Sequence, residues 1–136
     1  MSTFKLTKKE RLSNAILIGK LFAEGGSFYI FPLKFVFLKT PLLCPFPAQV
    51  SFSVSKKNFK RAVRRNLLKR RMREAYRLNK PSFYQSIPEG QQLAMMVIYS
   101  CKEIKEFTVI DKSMKKALKK IGEFLLSDQD ETTLHP

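Results

Sequence analysis

Residues 56–73 read KKNFKRAVRRNLLKRRMR, and ten of these eighteen are Lys or Arg with no Asp or Glu. The chemistry such a run supplies is fixed positive charge and N–H donors for phosphate oxygens. A merely solvated basic face would carry acids among its cations, yet the first acid after the run is Glu74. A polyphosphate partner is therefore the first reading. The spacing sorts the run into two helical stripes. Leu68, Met72, Ala75 and Tyr76 fall at i, i+4, i+7, i+8 and form a stripe to bury. Asn66, Lys69, Arg70, Arg73 and Arg77 fall at i, i+3, i+4, i+7, i+11 and form a polar one, with Arg65 at the border. Lys56, Lys57, Arg61 and Arg64 extend the cationic surface toward the N-terminal side.

Other chemistry is sparse. The eleven acids are scattered, and no Asp-x-Asp or Glu/His spacing resembles a two-metal nuclease site. The one histidine, His135, lies beside the last residue, where an inert role far outweighs a catalytic one. There is no phosphate-binding glycine loop of either common type. Ser51, Ser53 and Ser55 have no positioned base that the sequence identifies. Cys44 and Cys101 form no C-x-x-C and have no neighbouring His, which disfavours a zinc site or a disulfide scaffold and fits a reducing cytoplasm. No catalytic residue and no metal ligand is assigned, so the chain reads as a binding subunit.

The length of 136 residues suits one domain, and the net charge of +15 is costly self-repulsion unless a polyanion relieves it. Nucleic acid is the first candidate and an anionic membrane surface the second. The apolar runs are all shorter than ten residues, so none spans a bilayer, and the N-terminus lacks a signal-peptide pattern. Twelve Phe without a Trp suggest a Phe-rich core or an aromatic-lined groove.

These side chains need elements to hold them. Thr7 and Glu10 have capping-box spacing. Ser13 is the expected N-cap of a helix over 14–24, with Leu17, Ile18, Leu21 and Phe22 on one face and Gly25-Gly26 as its stop. Residues 27–31, 33–39 and 50–55 read as strands, with Phe35 and Phe37 on one side of theirs and Val36 and Leu38 on the other. Residues 40–49 hold Pro41, Pro45 and Pro47 and read as a loop. Asn58 is the expected cap of the basic helix, which runs to about 79, and 80–92 reads as a loop. Residues 93–99 are uncharged and suit a strand covered on both faces. Thr108 is the expected cap of a last helix to about 126. Residues 1–126 then form a single domain, and 127–136 a disordered acidic tail. The order is αβββαβα, an α+β protein built as a two-layer α/β sandwich on a four-stranded mixed sheet.

Residues 53–76, SVSKKNFKRAVRRNLLKRRMREAY, closely resemble the signature of the bacterial ribonuclease P protein component. The matching positions are Ser53, Ser55, Lys56, Lys57, Ala62, Val63, Arg65, Asn66, Lys69, Arg70, Arg73, Glu74, Ala75 and Tyr76. An N-terminal pattern recurs as Arg11, Leu12, Phe22 and Gly25, and the resemblance covers about residues 5–126 in element order. Two departures stand out: Leu67 replaces a common Arg, with Arg64 or Arg71 as substitutes for its contact, and Ile18 replaces an aromatic one turn before Phe22.

The resemblance implies a left-handed β-α-β crossover, where the general handedness rule would give the right-handed form. It implies association with a large catalytic RNA that, with Mg2+ held mainly by that RNA, removes the 5′ leader of precursor tRNA. No further protein partner and no membrane is required, and the location is cytoplasmic. The Arg-Asn helix would contact the RNA through Lys56, Lys57, Arg61, Arg64, Arg65, Asn66, Lys69, Arg70 and Arg73. A cleft between the first helix and the sheet would hold the single-stranded leader, drawing on Ile18, Phe22, Phe35, Phe37, Ser53 and Ser55. The Phe rings suit base stacking, although for Phe35 and Phe37 core packing is an equal reading. A ribosomal or other non-catalytic RNA-binding protein is the alternative.

Overall fold

The computed structural model describes residues 6–130. A 3-10 turn at Lys8–Glu10 leads into α1 (Ala15–Glu24), then β1 (Gly26–Ile30), β2 (Leu33–Lys39) and β3 (Ala48–Val54). The long helix α2 (Ala62–Ser86), β4 (Leu93–Tyr99) and α3 (Phe107–Asp130) complete the chain. The strands form one sheet in the order β1-β2-β4-β3. β2 is antiparallel to both β1 and β4, whereas β3 and β4 are parallel and joined through α2. The expected α+β order αβββαβα and the mixed four-stranded sheet are therefore present.

The two-residue period of the strands decides what each face does. Phe35 sits opposite Val97, and Val36 opposite Met96. Phe35, Val97, Val50 and Tyr99 point into the main core with Leu68, Met72 and Tyr76 of α2 and Ile110, Met114 and Ile121 of α3. Val36, Ala94 and Met96 point the other way, into a smaller cluster with Leu12 and with Leu21 of α1. The uncharged 93–99 run is thus covered on both faces, as a central strand between two apolar clusters must be. The sandwich has one full helix layer, α2 with α3, and α1 alone on the reverse face. Gly122 of α3 lets the two long helices close up, since a Cβ there would lie 2.4 Å from Ser86 Oγ.

Several boundaries differ from the sequence expectation. The cap of α1 is Asn14 rather than Ser13: its side-chain oxygen accepts the Leu17 N–H at 3.0 Å. β3 begins at Ala48 and ends at Val54, two residues early at its start. α2 begins at Ala62 with Arg61 as N-cap, not at Asn58. It then runs to Ser86 straight through Pro81, where a loop was expected. Proline forfeits one backbone bond and crowds the preceding turn. Burial of Phe83 within the continuing helix and of Ile87 just past its end, with the Lys80–Glu10 ion pair, holds the helix through the proline. α3 begins at Phe107 rather than behind a Thr108 cap, and the Val109 and Ile110 N–H groups donate to the Glu106 carbonyl. It continues past 126 to Asp130, so the first four residues of the expected tail are helical. Residues 131–136 of that tail lie outside the described residues.

Candidate nucleic-acid interface

The basic segment is carried on the turn after β3 and the first half of α2. Ser55 shapes the turn: its hydroxyl accepts the Lys57 N–H at 3.0 Å and its carbonyl accepts the Phe59 N–H at 3.1 Å. Lys56 and Lys57 are left exposed, and buried Phe59 anchors the turn against Tyr99 at 5.9 Å between ring centroids. Leu68, Met72, Ala75 and Tyr76 are fully buried, as the apolar stripe requires, and they orient the helix. Around and ahead of this stripe the helix is open to solvent: Arg61, Arg64, Asn66, Arg70 and Arg73 are exposed and Lys69 is half-buried. No carboxylate among the described residues pairs with any of these cations.

Three arginines of α2 are used by the fold itself. Arg65 turns back and donates through one nitrogen to the Phe59 and Lys60 carbonyls, both at 2.8 Å. It clamps the turn that presents Lys56 and Lys57. Arg71 donates to the Lys105 carbonyl at 2.5 Å and ties α2 to the segment before α3. That segment is also held by Tyr99, whose hydroxyl donates to the Glu103 carbonyl at 2.6 Å and accepts the Lys105 N–H at 2.9 Å. Arg77 pairs with Glu74 at 2.6 Å, and the contact lowers the glutamate pKa. Arg77 is therefore the balanced end of the stripe. Of the two arginines expected to substitute for the one replaced by Leu67, Arg71 is occupied and Arg64 is exposed and available.

The expected leader-groove residues do not all meet. Phe22 lies at the last turn of α1 and is 53% exposed, and Ile18 is half-buried on the α1 face of the sheet. Gly25 caps that helix at a position where only glycine fits: a Cβ would lie 2.4 Å from the Leu21 carbonyl oxygen and 2.7 Å from that of Phe37. Phe35 and Phe37 are on the other face. Phe35 is fully buried and stacks on Phe28 at 5.3 Å, while Phe37 meets Phe124 of α3 edge-on at 5.3 Å. They are core residues of the helix layer, separated from Phe22 by the sheet itself. Ser53 stays on the α1 face, opposite Ile98, whereas Ser55 serves the turn.

The reverse face of the sheet carries other groups. Lys34 and Tyr29 are exposed there and lie opposite one another across β1 and β2. Ile98, Ser51 and Ser53 are half-buried on the neighbouring strands. Alternation along β1 and β2 implies this face, but choosing it over the other required knowing which side α1 covers.

No three carboxylate, histidine or cysteine side chains among the described residues converge as a metal site. Glu10, Glu74, Glu103 and Asp111 each hold a lysine or arginine. Among the described residues no helix is long and apolar enough to cross a membrane.

Comparison with known proteins decides between the two RNA-binding readings. The model of the family described as Ribonuclease P matches residues 6–122. The chain belongs to the ribonuclease P family. It is 37% identical over 124 residues to the ribonuclease P protein component of Porphyromonas gingivalis, covering 89% of each chain. It is 36% identical over 127 residues to that of Chlorobium phaeobacteroides, covering 85% of this chain and 87% of the relative. The solved RNase P protein of Thermotoga maritima superposes with a TM-score of 0.63 at 28% identity, over 82% of this chain and 96% of that one. The Staphylococcus aureus RNase P protein shares the fold with a TM-score of 0.65 at 22% identity, over 84% and 96%. Family membership makes the chain a protein subunit of ribonuclease P, the ribonucleoprotein endoribonuclease of tRNA processing, associated with ribonuclease P RNA.

Proposed function

We propose that the protein docks on the catalytic RNA through the exposed side of α2 and guides the 5′ leader of precursor tRNA across the α1 face of the sheet. The observation that carries this reading is the free cationic surface of Lys56, Lys57, Arg61, Arg64, Arg70 and Arg73, which no carboxylate among the described residues neutralises. Phosphates of the RNA would replace the counterions of these groups, and Asn66 beside them supplies donors and an acceptor for a ribose or a base.

The leader path in this reading is floored by Ile18 and Phe22, with Ile98 beside them and Lys34 and Tyr29 at the rim. Phe22 and Tyr29 offer ring faces for unpaired bases, and Lys34 a charge for the backbone. Ser53 lines the same face, while Phe35, Phe37 and Ser55 take no part. The sheet separates the two surfaces, so leader and catalytic RNA bind without competing for side chains. Magnesium would be held mainly by RNA phosphates. A cytoplasmic location belongs to the same proposal.

Reconstitution with ribonuclease P RNA from the same organism tests the reading. RNA-free protein should leave precursor tRNA intact, and protein with that RNA and magnesium should release the 5′ leader. Site-specific cleavage by nuclease-treated protein alone, or no gain in cleavage when protein joins the RNA, would refute it.

A further inference from the structure

α3 carries a second cationic row, one that faces away from α2. Lys112, Lys116 and Lys120 recur every four residues and all are exposed. Each step is about 6 Å of helix rise. Lys115, on the flank toward α2, is 3.2 Å from Asp111. By contrast, no carboxylate among the described residues pairs with Lys112, Lys116 or Lys120.

The neighbours of the row fix its direction. Ser113 Oγ donates to the Ile30 carbonyl at the end of β1 at 2.7 Å, and Lys120 Nζ lies 5.0 Å above the Phe28 ring of that strand. The row therefore runs beside β1. At its N-terminal end Ile30, Phe31, Lys112, Ser113 and Lys116 surround an open concavity of about 230 Å³. The Phe31 ring is 51% exposed there, and Lys105 Nζ lies 5.6 Å over it.

The α2 interface lies elsewhere. Arg71 and Asn79 mark the side of α2 that meets α3, through the Lys105 carbonyl and Asp111. Asn66, Arg70 and Arg73 occupy the other flank. β1 and β3 are the two edges of the sheet, three strand spacings or on the order of 14 Å apart. RNA backbone lying on Asn66, Arg70 and Arg73 would have to cross the helix layer to reach the α3 row.

We propose that Lys112, Lys116 and Lys120, with Phe31 at their end, form a second docking surface for the catalytic RNA, engaging a backbone segment distinct from the one on α2. The inference rests on the RNA-binding function proposed above. Evenly spaced ammonium groups with no carboxylate partner among the described residues suit a phosphate chain, and an exposed ring among them suits an unpaired base. An anionic membrane fits less well, because the apolar side of α3 is sealed in the core and leaves no face to insert. The leader fits less well because its path is on the reverse face of the sheet. The catalytic RNA, already held on the same helix layer, is the occupant in reach.

The test is salt-dependent binding of full-length protein to the catalytic RNA. Three proteins are compared with the wild type: Lys112→Gln with Lys116→Gln and Lys120→Gln, the charge-matched Lys8→Gln with Lys9→Gln and Lys102→Gln, and Arg70→Ala. The α3 triple variant should make the slope of log K against log salt shallower by roughly 2–3 units, and the charge-matched triple should change it far less. Lys116→Glu and Phe31→Ala, as single changes at exposed sites, should each weaken binding by roughly tenfold. Equal slopes for the two triple variants would overturn the proposal. So would a loss confined to precursor tRNA binding by preformed holoenzyme, or triple-dependent binding to anionic vesicles with RNA affinity unchanged. If Arg70→Ala weakens RNA binding and the α3 variants do not, only this inference fails. If the wild type does not bind the RNA, the proposed function fails with it.

Discussion

Lys80 Nζ lies 2.9 Å from one carboxylate oxygen of Glu10 and 3.1 Å from the other, and both side chains are almost sealed from solvent. The pair joins the N-terminal 3-10 turn to the part of α2 that passes through Pro81. Glu10 also accepts the Tyr84 hydroxyl at 2.5 Å and the Thr7 N–H at 2.8 Å. Each carboxylate oxygen is thereby satisfied, the condition for keeping a buried charge. Removing either residue breaks this buried ion pair. Glu10→Ala or Lys80→Ala should cost about 3–5 kcal/mol of folding stability, read from urea midpoints, whereas exposed Glu89→Ala should cost little. A shift in midpoint no larger than that of Glu89→Ala would show that the pair does not hold the turn to α2.

The same contacts set a pH dependence. Burial pushes the Glu10 carboxyl up, but the Thr7 N–H, the Tyr84 hydroxyl, Lys80 and the Thr7 hydroxyl together hold it below its ordinary value of 4.5. A depressed acid stabilises the fold above its unfolded value and loses that contribution as pH falls through the folded one. Stability should therefore drop as pH is lowered below about 4.5, and Glu10→Gln should flatten that part of the profile. Chemical denaturation at several pH values measures both curves; parallel curves would count against the assignment.

RNA binding should weaken steeply with salt. If the α2 surface neutralises about five phosphates, log K should fall with log salt at a slope of roughly −3.5 to −4.5. The α3 row, if engaged, steepens it further. Arg70→Ala should make the slope shallower by about one unit. An unchanged slope would mean that the exposed side of α2 does not face the RNA.

Asn66→Ala separates binding from folding. Its side chain is exposed on α2, and Ala is the better helix former. Thermal stability should be equal or slightly higher, while RNA affinity falls by about 1–2 kcal/mol for one or two lost hydrogen bonds. A large drop in melting temperature would make Asn66 a structural residue instead.

Phe22 and Phe35 should behave in opposite ways. Phe22→Ala removes a ring that is 53% exposed. It should weaken holoenzyme binding of precursor tRNA by about 1–3 kcal/mol per stacked base and leave mature tRNA binding alone. Phe35→Ala opens a cavity in the main core and should cost about 3–5 kcal/mol of stability. Equal losses for the two tRNAs with Phe22→Ala would remove the leader from this face.

The sequence by itself determined the binding class, the element order and the buried stripe of α2. Those are local properties: charge with no acid to balance it, and apolar spacing at 3.6 or 2 residues, survive without knowledge of the fold. Leu68, Met72, Ala75 and Tyr76 were legible for that reason. Tertiary structure decided which face of each element meets which neighbour. A period of two says that Phe35 and Val36 part company, but not that α2 and α3 take the Phe35 side while α1 takes the other. It also decided which arginines remain free. Arg65, Arg70 and Arg71 are alike in sequence, yet carbonyl groups from the preceding turn and from Lys105 claim two of them. The passage of α2 through Pro81 was hidden for the same reason. The partner that helps to hold that turn, Glu10, lies seventy residues away in the chain, and only the folded molecule brings its carboxylate to Lys80.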